Sequence, residues 1–149
     1  MIELKKKILS QVEQMLMEKA AQMRKQLEAI REDASGSAKS SMGDKYETTR
    51  EMLKQEELKV TGQLDICEKQ IKQVQLAPVR VLDKVGNGSL IRSADLYFMI
   101  LTSVGKVSID DKDVFVVSAA APVAQTLLGH NLGDTFIFNG KSCQIDELA

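Results

Sequence analysis

The sequence predicts an α+β chain: an N-terminal antiparallel coiled-coil hairpin, then a small, mostly antiparallel sheet carrying one short helix. Three observations predict it. Apolar side chains fall at Leu9, Val12, Leu16, Ala20, Met23, Leu27, Ile30 and Ala34, and a second seam runs through Tyr46, Leu53, Val60, Leu64, Cys67, Ile71 and Val74. The polar stretch 35–44 between them continues neither seam, so the two helices fold back on each other. Beyond Pro78 the pattern shortens to β-branched and aromatic runs of strand length, punctuated by Gly and Asn.

The first helix is expected from near residue 3 to about residue 33, built of good helix formers with no Pro or Gly inside, and Gly36 is its expected stop. The second is expected from residue 44, or just before it, to about residue 75, where Ala77-Pro78 ends it. Gly62 inside it is read as a surface or close-packing position, and Glu57 as a polar seam residue that fixes register. These helices form one unit, 1–76, and the remainder a second, 77–149.

In the second unit, strands are expected at Val79-Arg80-Val81-Leu82, at Ser89-Leu90-Ile91, at 96–101 and at Val114-Phe115-Val116-Val117, with a turn at Gly86-Asn87-Gly88. Gly105 and Asp110-Asp111-Lys112-Asp113 are read as loops. A short helix follows over 123–128, with Pro122 in its first turn and Gly129 as its stop. Thr135-Phe136-Ile137-Phe138 and Ser142-Cys143-Gln144-Ile145 flank Asn139-Gly140, a hairpin signal, with Phe136 and Phe138 on one core-facing side.

Composition narrows the function. A net charge of −1 argues against a mainly electrostatic nucleic-acid or membrane partner. The balance is even along the chain, with fourteen Lys/Arg against thirteen Asp/Glu up to Leu76 and six against eight beyond it. The run Lys5-Lys6-Lys7 reads as a solvated helix start. Cys67 and Cys143 lack neighbours at metal-ligand spacing, and a reduced, cytoplasmic setting is expected. The N-terminus shows no apolar h-region, so no signal peptide is expected, and no run approaches transmembrane length. His130 is the one histidine; paired with Cys143 it would lack an orienting group, and a solvated loop position is the reading.

Ser118-Ala119-Ala120-Ala121-Pro122-Val123-Ala124-Gln125-Thr126-Leu127-Leu128-Gly129, followed by Gly133-Asp134, resembles a motif of the GreA/GreB transcript-cleavage factors, with Ala121 replacing the serine before proline. Gly88-Ser89-Leu90-Ile91 and Tyr97 are similar to the segment that opens that family's C-terminal domain. The resemblance implies an FKBP-like C-terminal domain that docks on RNA polymerase at its secondary channel, here through Pro122, Gly129 and Asp134. It implies a hairpin whose tip carboxylates help the polymerase's own active centre hold Mg2+ and cleave backtracked RNA. The factor would be an accessory and no enzyme by itself. No cofactor of its own, no membrane and a monomer are expected. Prolyl isomerase activity is not, because aromatics make up only 4%.

At the tip, Gly43-Asp44-Lys45-Tyr46-Glu47-Thr48 supplies the family's G-D-x-x-E, with Thr48 in place of an asparagine and Tyr46 between the acids. Asp44 and Glu47 are then the cleavage-assisting, metal-directed carboxylates, and Tyr46 and Arg50 contact RNA or polymerase. Aligning on Tyr46 and Arg50 instead puts Lys39 and Met42 where the acids belong. Asp44 and Glu47 also read as a capping box at the start of the second helix, with Ser40 and Ser41 serving the turn. Glu32 and Asp33 are a second source of acid, and Lys39, Lys45 and Lys54 a source of positive charge. Two other functions stay open: a channel-binding inhibitor that does not promote cleavage, and a coiled-coil interaction module unrelated to polymerase.

Overall fold

The computed structural model describes residues 1–37 and 43–149, and the side chains of 1–35 and 47–149. Lys39, Ser40, Ser41 and Met42, and the side chains of Asp44, Lys45 and Tyr46, lie outside the described residues. The chain forms an N-terminal helical hairpin followed by a mostly antiparallel sheet and one short helix. It divides into two compact units, Met15–Ile71, and Met1–Gln14 with Lys72–Ala149.

Helix α1 spans Ile2–Ser37 and α2 spans Gly43–Gln75. The first helix therefore runs past Asp33 and through Gly36, where a stop was expected. A single glycine weakens a helix without ending it when good formers precede it. The seam is as read: in Met15–Ile71, Leu16, Ala20, Met23, Leu27 and Ile30 of α1 are buried with Val60 and Cys67 of α2, and Leu53 and Leu64 are half-buried. The Cys67 Sγ donates to the Leu16 carbonyl at 3.2 Å, Arg24 pairs with Glu68 at 3.1 Å and Arg31 with Glu57 at 3.1 Å. Glu57 thus meets a cation at the edge of the seam. Gly62 is an exposed position where an added Cβ would meet no atom within 4 Å.

In the other unit a five-stranded sheet has the order β3-β4-β2-β1-β7, built from β1 (Leu90–Ser93), β2 (Leu96–Ile100), β3 (Gly105–Ile109), β4 (Lys112–Val117) and β7 (Glu147–Leu148). Only β2 and β4 run parallel, with Phe98 beside Phe115 and Ile100 beside Val117. A separate hairpin pairs β5 (Thr135–Phe138) with β6 (Lys141–Gln144), placing Phe136 opposite Cys143. Asn139 (φ 50) and Gly140 (φ 75) are both left-handed, as a type I′ turn requires. Phe98 centres one core, with ring centroids 5.7 Å from Phe115, 6.0 Å from Phe136 and 5.1 Å from Phe138. Val85, Ile91, Ile100, Ala124, Leu127, Ile145 and Leu148 are buried with it.

Three expectations change in this unit. Residues 79–82 form no strand, and Val79 and Val81 stay 48% and 65% exposed. A β-branched run becomes a strand only with a ladder partner, and both sides of β1 are taken, by β2 and by β7. Gly105 opens β3 instead of marking a loop, and Lys112 and Asp113 open β4, leaving Asp110 (φ 49) and Asp111 (φ 61) as the two-residue turn. Finally, Lys5 is wholly buried, not solvated: its Nζ donates to the Arg80 carbonyl at 3.3 Å. Lys7 and Gln11 meet the β3–β4 hairpin, at Asp110 (2.6 Å) and at the Ser108 carbonyl (3.5 Å). The Lys7 ammonium holds the Asp110 carboxyl below its ordinary range.

Candidate functional site

The residues singled out from sequence fall in two places, the first turns of α2 and the segment around α3 (Pro122–Leu127). Helix α2 begins at Gly43, so Asp44 and Tyr46 belong to its first turn by position. The Asp44 side chain lies outside the described residues, so both its reading as a cap and its reading as a metal-directed acid stay as the sequence left them. Glu47 and Arg50 are exposed. Glu47, Arg50, Glu51, Lys54 and Glu57 line a shallow groove of about 560 Å³ with Ala34 of α1. Glu32 and Asp33 are exposed further along α1.

Glu51 was not singled out from the sequence, yet it lies one turn beyond Glu47, and the spacing i, i+4 was the available signal. The two carboxylates share one face of α2 with Arg50 and Lys54 beside them, and Glu57 is held by Arg31. This is an open, mixed-charge surface. Hard oxygen donors of this kind suit Mg2+, which takes one or two carboxylates and completes its octahedron with water and other oxygens. Among the described residues, no group of three or more His, Cys, Asp or Glu is placed to hold a metal. Glu47 and Glu51 stand exposed to solvent in this groove.

The α3 segment is built as its sequence pattern requires. Pro122 occupies the first turn, where its missing N–H is no loss, and Gly129 turns the chain at φ 84. Ala124 and Leu127 point into the Phe98 core, while Pro122, Gln125 and Thr126 are exposed. The Gly129 N–H donates to the Val85 carbonyl at 2.9 Å, tying the helix end to the chain before β1. Gly133 (φ 89) leads into Asp134, whose carboxylate accepts from the Asn131 N–H at 2.7 Å. Asp134 is half-buried and orders its own loop, whereas Pro122 and Gly129 present free surface. Ala121 is the N-cap and supplies no side-chain bond.

The other titratable candidates have local partners. The His130 ring lies 3.1 Å from the Leu127 carbonyl, and the Cys143 Sγ lies 3.7 Å from that of Lys141. Both cysteines are free thiols. Among the described residues, no helix is long and apolar enough to cross a membrane.

No family model matches the chain, and neither does any curated protein sequence. Solved structures that resemble it include the crystal structure of GreA factor homolog 1 (Gfh1) of Thermus thermophilus, 18% identical over 92% of this chain and 94% of that one, with a TM-score of 0.37. A structure described as that of the transcription factor Gfh1 is also 18% identical, over 91% of this chain and 92% of that one, at a TM-score of 0.39.

Proposed function

We propose that this chain is a Gre-like accessory factor that binds RNA polymerase through its secondary channel and modulates elongation by promoting cleavage of backtracked RNA. The observation that carries this reading is the fit between the Ser118–Gly129 pattern with Gly133-Asp134 and its local structure. Pro122 opens α3, Gly129 and Gly133 adopt left-handed backbone, and Asp134 closes the following turn. A resembling motif in its matching context is a stronger warrant than the motif alone. In this reading the exposed surface at Pro122 and Gly129 docks on the polymerase, and Asp134 keeps that surface in shape.

Asp44 and Glu47 then act where α2 begins. Bound Mg2+ would neutralise charge on the phosphate under attack and lower the pKa of a water. The chain's own part is to bring one or two carboxylate oxygens to that ion and to an attacking water. Tyr46 lies between these acids in sequence and Arg50 within one turn of Glu47, and both would orient the RNA 3′ end or the hairpin itself. A second reading keeps the docking and drops the cleavage. Thr48 in place of an asparagine, and Tyr46 between the two acids, favour it.

Stalled elongation complexes with radiolabelled RNA separate these readings. Added protein should shorten the RNA from its 3′ end, and Asp44→Ala with Glu47→Ala should abolish this while leaving polymerase binding in a pull-down intact. Binding without cleavage by the unmodified chain selects the second reading. No binding, or binding indifferent to Pro122→Asp, sinks both.

A further inference from the structure

Gly62 sits in the interior of α2, exposed, with no atom within 4 Å of where a Cβ would stand. An interior glycine weakens a helix, and no neighbour among the described residues requires one here. One turn away on either side, at i−4 and i+4, stand Leu58 and Ile66, 66% and 61% exposed. The helical period puts all three on the side of α2 opposite Val60, Leu64, Cys67 and Ile71 of the seam. An unexplained glycine and two unexplained apolar side chains therefore share one ridge, a gap between two posts. Ridges of this i, i+4 kind are how a helix receives another helix.

The ridge reads the same in both directions from Gly62. Two copies laid antiparallel about a two-fold axis through Gly62 bring each Leu58 beside the other's Ile66 and set the two glycine gaps face to face. Along the same axis Gln55 meets Lys69 and Glu51 meets Gln73, so no like charges oppose each other. Each apolar side chain offers on the order of 100 Å². With Met52 and the stems of Gln55 and Lys69, two copies would bury roughly 800–1,200 Å², the low end for a specific interface. That area fits a weak, reversible pair.

We propose that the Leu58–Gly62–Ile66 ridge of α2 is a self-association surface that takes a second copy of this chain in antiparallel, two-fold register. This departs from the monomer expected from sequence. It is independent of any partner of the Pro122–Asp134 segment, although a pair so formed covers one face of the hairpin and competes with anything that must surround it.

Sedimentation equilibrium of the full chain, from roughly micromolar to millimolar concentration, tests this. The expected result is a monomer–dimer equilibrium in that range. Gly62→Leu, which fills the gap, and Leu58→Lys with Ile66→Lys should each raise the dissociation constant by at least about tenfold. Circular dichroism of both variants should show the helix content unchanged. Gly62→Cys on a Cys67→Ala, Cys143→Ala background should form a disulfide-linked dimer under mild oxidation, because the axis passes through that position. A monomer at every concentration, or association that persists in both ridge variants, overturns the proposal.

Discussion

Lys5 brings an ammonium group into the start of α1, with the Arg80 carbonyl as its acceptor. Burial first, and the Arg80 charge second, lower its pKa to about 8. Between that value and the 10.5 of a free lysine, the unfolded chain holds a proton that the folded chain has released. Lys5 therefore makes stability rise with pH across this window, and below it the folded state bears the desolvation penalty in full. Lys5→Met keeps the volume of the stem. It should raise stability at neutral pH by about 1–2 kcal/mol and flatten the rise, as urea melts at about pH 7 and pH 9.5 would show. Gly88 is constrained from outside: at φ 86, a Cβ would lie 2.5 Å from Pro78 Cδ. Gly88→Ala should cost about 1–3 kcal/mol in the same melts. Ala121 presents the reverse case, an N-cap with no oxygen to offer. Ala121→Ser should gain about 0.5–1 kcal/mol, and an unchanged midpoint would mean that the hydroxyl fails to reach an amide of α3.

The elements show where local pattern decides structure and where it does not. The seam of α1 was legible to the residue, because burial on a long helix repeats with one period from Leu9 to Ile30. The α3 stop at Gly129 and the Asn139-Gly140 hairpin were legible because Pro, Gly and Asn carry backbone constraints of their own. Strand β3 was not, since its alternation of Lys106, Val107, Ser108 and Ile109 offers two apolar residues beside a charged turn. Residues 79–82 failed in the opposite way: they have strand chemistry, but β7, which claims the edge of β1, lies far along the chain. At the candidate site, Glu47 and Arg50 were singled out through the family resemblance, and the groove adds Glu51, which the i, i+4 spacing from Glu47 could have pointed to. On α2 itself, Gly62→Ala should stabilise the helix by about 0.5–1 kcal/mol, measured as a raised midpoint at concentrations too low for association.

For the whole molecule, stability should not be uniform. Strands β2 and β4 are paired on both sides and lie at the Phe98 core, so their amides should exchange with deuterium slowest. The first turns of α2, with Glu47, Arg50 and Glu51 all exposed, should exchange among the fastest. Equal protection in the two would mean that the chain opens as a single cooperative body. The division at Gln14 and Lys72 has a further meaning. One unit is discontinuous in sequence, since its opening residues wait for the chain to return at Lys72, and Met15–Ile71 is in effect a cassette spliced into it. A cassette can be resized without rewriting its host. Removing one heptad from each helix preserves the seam's phase and shortens each by about 10 Å. Such a variant should leave melting of the sheet unit in place. If α2 begins where a distant active centre must be met, it should still dock and yet lose its effect on RNA, which makes helix length a ruler that mutation can read.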